Sequence, residues 1–191
     1  MFQSNSHISY KFAKKIKRMQ ENQMFDKPII DFVTTSVDFC RKVEQCQSVS
    51  RQDFTDSMLE LLPVLYFRAN QIRLTECTEE GYNEPHVTES DYEFVRHSVA
   101  SVMKEYDDFL DVFVEDFKYS DQPILQTVSE NIADIYQALR DFIEIFRGGY
   151  SDAIEIAISD ICNDFGYSWG QKLLNTLRAL HCCKYGGESN A

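Results

Sequence analysis

The longest unbroken amphipathic register in the chain runs between Ser120 and Arg147. Leu125, Val128, Ile132, Ile135, Leu139, Phe142 and Phe146 recur there at gaps of 3, 4, 3, 4, 3 and 4 residues. That spacing sets all seven on one side of an α-helix. Tyr136 and Ile143 widen the stripe, which predicts a central helix with neighbours on two flanks. Asp121 is suited to cap its start and Pro123 to its first turn, while Gly148-Gly149 supplies its end.

The same patterning predicts helices on either side. Asp26, with Pro28 just after it, opens a helix with Ile30, Val33, Val37 and Cys40 on one stripe, flanked by Phe32, Phe39 and Val43. Ser50 with Asp53 opens a second helix, whose buried face is expected to be Phe54, Met58, Leu61, Leu65, Ala69 and Ile72. Pro63 inside it removes one backbone donor and is expected to kink it. Thr75 to Pro85 reads as a loop. Thr88 with Asp91 starts the next helix, and Tyr92, Val95, Val99, Val102, Tyr106, Leu110, Phe113 and Phe117 follow in helical phase. They form one long helix, or two broken near Lys104. Ser151 caps a segment holding Ile154, Ile158, Ile161 and Phe165, and a last helix carries Trp169, Leu173, Leu177 and Leu180. No strand-like alternation of useful length appears. The expected fold is all-α, a single helical bundle of about six or seven helices. It spans 24–185, with a loosely attached basic tail at 1–23 and a polar tail at 186–191.

Charge changes what partners this bundle can have. The chain of 191 residues carries a formal charge of -12. Residues 1–23 hold Lys11, Lys14, Lys15, Lys17 and Arg18 against Glu21, a net of +4, so the rest carries -16. An acidic body repels nucleic acid and anionic membranes and favours basic protein partners. The tail places Ile8, Phe12, Ile16 and Met19 on one face, as a membrane or nucleic-acid arm would. A short isolated helix is marginal in water, so the plainer reading is an appendage, or a translated leader upstream of Met24. No apolar run reaches the ~18 residues of a membrane span, and the N-terminus lacks a secretory core. The six cysteines contain no C-x-x-C, and Cys40 falls on an apolar stripe, which favours a reduced, cytoplasmic protein.

Two constellations are candidates for chemistry. Asp107, Asp108, Asp111 and Glu115 fall together on one predicted helix, and Glu130, Asp134, Asp141 and Glu144 on the central one. Facing rows of this kind bind Mg²⁺ in all-α nucleotide hydrolases. The central row lies opposite the apolar stripe, however, where solvation is the simpler reading. No histidine has an acid three residues before it, as a di-iron bundle requires, and no phosphate loop or zinc motif is present. No cofactor and no metal ligand is assigned. The second constellation is Trp169 to His181, where Gln171, Asn175 and Arg178 share a polar strip beside an apolar one. An interface or pocket is expected from Trp169, Gln171, Arg178 and His181, its rim completed by Asp134 or Tyr136.

These stretches also carry a resemblance. Asp134-Ile135-Tyr136-Gln137, Trp169-Gly170-Gln171-Lys172-Leu173 and Leu177-Arg178-Ala179-Leu180-His181 resemble a bacterial family described only as domain of unknown function 5063, common among Bacteroides-like bacteria. The similarity runs from about Ile29 to His181. It implies a small helical cytoplasmic protein and no particular activity. The function expected from the residues is a non-catalytic protein-interaction or adaptor module. The alternative is a metal-dependent hydrolase of nucleotides or related phosphates.

Overall fold

The computed structural model describes residues 25–72, 81–111 and 124–186. Among them are six α-helices and one small ribbon: α1 (Lys27–Glu44), α2 (Arg51–Gln71), α3 (Glu89–Met103), β1 (Asp108–Asp111), β2 (Ile124–Thr127), α4 (Val128–Gly148), α5 (Ser151–Tyr167) and α6 (Trp169–Tyr185). The architecture is the expected all-α bundle, with α4 at its centre in contact with α1, α3, α5 and α6. Ile132, Ile135, Leu139 and Phe142 of the predicted stripe are buried, joined by Tyr136 and Ile143. Gly149 follows α4 at φ 76°, the left-handed conformation that glycine adopts without strain. Among the described residues no helix is long and apolar enough to cross a membrane.

The start of α4 differs from expectation. Leu125 is not on the helix but in β2, 62% exposed, opposite Leu110 of β1 at 59%. Asp121 and Pro123 lie outside the described residues, and Thr127 is the cap, its Oγ1 accepting the Glu130 amide at 3.1 Å. Asp107 does more. Its carboxylate accepts the Ser129 amide at 2.8 Å and the Ser129 hydroxyl at 2.7 Å, while its carbonyl accepts the Val128 amide at 2.8 Å. Three amides that a helix start leaves open thus find partners.

The helical phase that joined Val102 to Leu110 is broken at Lys104, which sits at φ 52° and turns the chain out of α3. The break expected near Lys104 is present, but an antiparallel strand follows it rather than a second helix. Asp107, Asp108 and Asp111 therefore do not form a helical row. Glu115, Phe113 and Phe117 lie outside the described residues, as do residues 1–23.

Smaller corrections concern helix rotation. In α1 it is Ile29, Phe32, Phe39, Cys40 and Val43 that are buried, while Ile30 and Val37 face out. Two phenylalanines bury more area than the aliphatic stripe one position away, so they set the rotation. In α2 Leu62 replaces Leu61 in the core, and the helix continues through an exposed Pro63. The expected caps at Ser50 and Thr88 are formed, the latter with Asp91 as a reciprocal capping box. Ser151 is instead the first residue of α5, with Tyr150 at the cap position.

Candidate binding cleft

A cleft of about 710 Å³ opens between the N-terminal half of α4, the outer side of α6 and the ribbon. Positions 130, 131 and 134 put Glu130, Asn131 and Asp134 on one side of α4, and positions 171, 175 and 178 do the same for Gln171, Asn175 and Arg178 on α6. Tyr92 comes from α3, Lys172 from α6, and Asp111 and Gln126 from the two strands.

Its polar groups are largely held in place. Asp134 accepts the Tyr92 hydroxyl at 3.0 Å and forms an ion pair with Lys172. Burial, and next the Asp134 charge, push the Tyr92 phenol above its ordinary range, so it stays a donor. One oxygen of Asp111 accepts both the Gln126 and Asn175 amides at 2.9 Å. Asp111 is only 5% exposed, whereas its neighbour Leu110 faces solvent. A strand that buries its aspartate and exposes its leucine reverses the normal pattern, and such conflicts collect where a protein keeps polar chemistry.

The sequence-predicted residues divide between this cleft and elsewhere. Asp134, Gln171 and Arg178 line it together. Trp169 does not: it is 1% exposed, its indole N–H donates to the Ile161 carbonyl at 3.0 Å, and its ring lies 4.6 Å from Phe165 and 6.1 Å from Phe32. It is the core anchor of the α5–α6 corner, because an indole with its one donor satisfied gains most by full burial. The adjacent Gly170 leaves no space for a side chain, since a Cβ would stand 2.2 Å from the Phe165 carbonyl oxygen. Tyr136 is also buried, and its hydroxyl reaches Glu44 of α1 at 2.8 Å, so it does not complete the rim. His181 lies in a neighbouring groove of about 760 Å³ between α2 and α6, with Glu60, Arg178 and Tyr185.

The acidic row of α4 is not simply solvated. Only Glu130 is exposed; Asp141 accepts the His86 and Val87 amides at 2.6 and 2.7 Å, and Glu144 pairs with Arg140 and Arg147. Asp111, Glu130 and Asp134 share the cleft, yet among the described residues no three His, Cys, Asp or Glu side chains are grouped to hold a metal ion. Tyr92, Gln126 and Lys172 were not legible as site residues, because each reaches the cleft by a long-range contact; Asp111 was legible only as part of a helical carboxylate row, in place of which a strand carries it into the cleft. Asn175 was legible, through its place on the Gln171–Arg178 strip.

Fold and cleft together define a small all-α bundle protein with a preorganised polar recess beside its last helix. The chain belongs to the family described as domain of unknown function DUF5063, whose model matches residues 23–186. The crystal structure of protein BF1032 from Bacteroides fragilis is similar, with 36% identity and a TM-score of 0.78, covering 88% of this chain and 99% of that one. A search of curated proteins gives no match.

Proposed function

We propose that this protein is a non-catalytic cytoplasmic interaction module that recognises a protein partner along the outer face of α6. The observation that carries this reading is the position of Arg178, an exposed side chain at which three recesses meet: the cleft, the α2–α6 groove, and a pocket of about 320 Å³ beside β1. Exposed Gln171, Leu174, His181 and Tyr185 extend that face along the helix. Recesses around an exposed arginine, with apolar side chains between them, are the surface from which binding hot spots are built. The thiols support a reduced compartment: Cys40, Cys46 and Cys162 are free, and burial pushes their pKa values up to about 12, 11 and 11, which argues against these three as nucleophiles. The acidic charge disfavours nucleic acid and anionic membrane as partners.

The test is Arg178→Ala. It should leave stability within about 1 kcal/mol and weaken association with a partner isolated from the native host. A loss of roughly 3–5 kcal/mol instead marks Arg178 as the structural partner of a buried acid and ends the site reading. One observation favours the hydrolase alternative, the sharing of a cleft by Asp111, Glu130 and Asp134. If that alternative holds, Mg²⁺ or Mn²⁺ raises the melting temperature, and Asp111→Asn removes both that rise and any nucleotide hydrolysis.

A further inference from the structure

We propose that the cleft receives an extended peptide segment presenting a lysine or arginine side chain. This rests on the interaction-module reading and names the chemistry of its partner. Gln126, Asn131, Gln171 and Asn175 line the cleft. Each ends in a carboxamide, with a donor and an acceptor in one plane, as in the peptide group itself. Side chains of this kind pair with a main chain whatever its sequence, and four in one recess suit an extended strand better than a compact apolar ligand. The network is already assembled: Asn131 donates to Gln126 at 3.4 Å, and Gln126 and Asn175 both donate to Asp111. An incoming chain therefore meets oriented groups and orders little on binding.

Charge selects the side chain. Among the described residues three carboxylates, Asp111, Glu130 and Asp134, share the cleft with two cations, Lys172 and Arg178, and Lys172 is paired with Asp134. The excess is one negative charge, and Glu130 is the acid among the three that stands exposed. A single ammonium or guanidinium on the guest neutralises the recess, whereas a phosphate or carboxylate adds to the repulsion. Exposed Leu174 and Tyr167 at the rim offer contact to an apolar residue beside that cation. The charge of -12 draws a basic segment towards the surface before contact.

The experiment uses the full chain and fluorescence anisotropy with four pools of short, end-blocked peptides. Each pool has Lys, Arg, Ala or Glu fixed at the central position and mixed residues elsewhere. The Lys and Arg pools should bind at least about tenfold tighter than the Ala pool, and the Glu pool weakest, with the preference shrinking as salt rises. Glu130→Gln, on an exposed side chain, should lower the preference several-fold without shifting the melting temperature. N-methylation of the peptide backbone should weaken all pools. Equal binding of the four pools, a preference indifferent to Glu130→Gln, or binding of none overturns the proposal. The two readings fail separately. A host partner lost with Arg178→Ala but not displaced by the Arg pool removes the basic peptide and leaves the module. A host partner retained by Arg178→Ala removes the module itself.

Discussion

Gly170 and Lys104 are single positions where backbone geometry, rather than contact chemistry, dictates the residue. A methyl group at Gly170 would meet the Phe165 carbonyl, which belongs to the backbone of the preceding helix and cannot swing aside. Gly170→Ala is expected to cost about 2–3 kcal/mol, read as a fall in urea midpoint, because the α5–α6 corner must open to admit it. The Trp169-Gly170 pair is thus explained by how the last helix is seated, not by ligand binding. Lys104 presents the opposite case, a side chain held at φ 52° and ψ -124°, a region that glycine enters with little strain. Lys104→Gly should stabilise the protein by about 1 kcal/mol. A neutral or negative result would show that the lysine side chain contributes enough locally to offset its backbone strain.

At the level of elements, α4 depends on a residue that precedes it by a strand pair. The Asp107 carboxylate holds the amide and the hydroxyl of Ser129 in its first turn, so Asp107→Ala leaves the buried Ser129 amide unmet and should cost about 1–3 kcal/mol. Asp107→Asn keeps an acceptor and should recover part of that loss. On α5, desolvation and then the charge of Asp164 one turn on raise the pKa of Asp160 above its usual value. A folded-state pKa above the unfolded one means the ionised group opposes folding at neutral pH, and that penalty disappears as pH falls through the carboxylate range. Asp160→Asn should therefore raise the melting temperature at pH 7 and leave it unchanged near pH 3. Equal gains at both pH values would assign the effect to packing instead of charge.

For the whole molecule, the core is continuous from α1 to α6, with Leu139 of α4 fully buried within it. Leu139→Asp should abolish folding, visible as loss of the cooperative thermal transition, because the charge has no partner there. Residues 1–23 lie almost wholly outside the family match, and α1 begins with its own Asp26 and Pro28. Their removal is expected to leave the melting temperature nearly unchanged; a fall of several degrees would mean that Ile8, Phe12 and Ile16 dock on the bundle. What the sequence by itself determined was the helical class, the order of the helices, the caps at Ser50 and Thr88 and the stop at Gly149. These depend on neighbours three or four residues apart, which the chain carries locally. Only the tertiary structure decided which side of α1 turned inward, that Trp169 went to the core, and that Asp107 capped a helix from across a strand pair. It also decided that Asp111 faced inwards to meet Asn175, 64 residues away. A competing helical phase, with Val102, Tyr106 and Leu110 four residues apart, hid the ribbon. The cleft exists because two helix faces and a strand converge, and convergence is a property of packing, which no local spacing encodes.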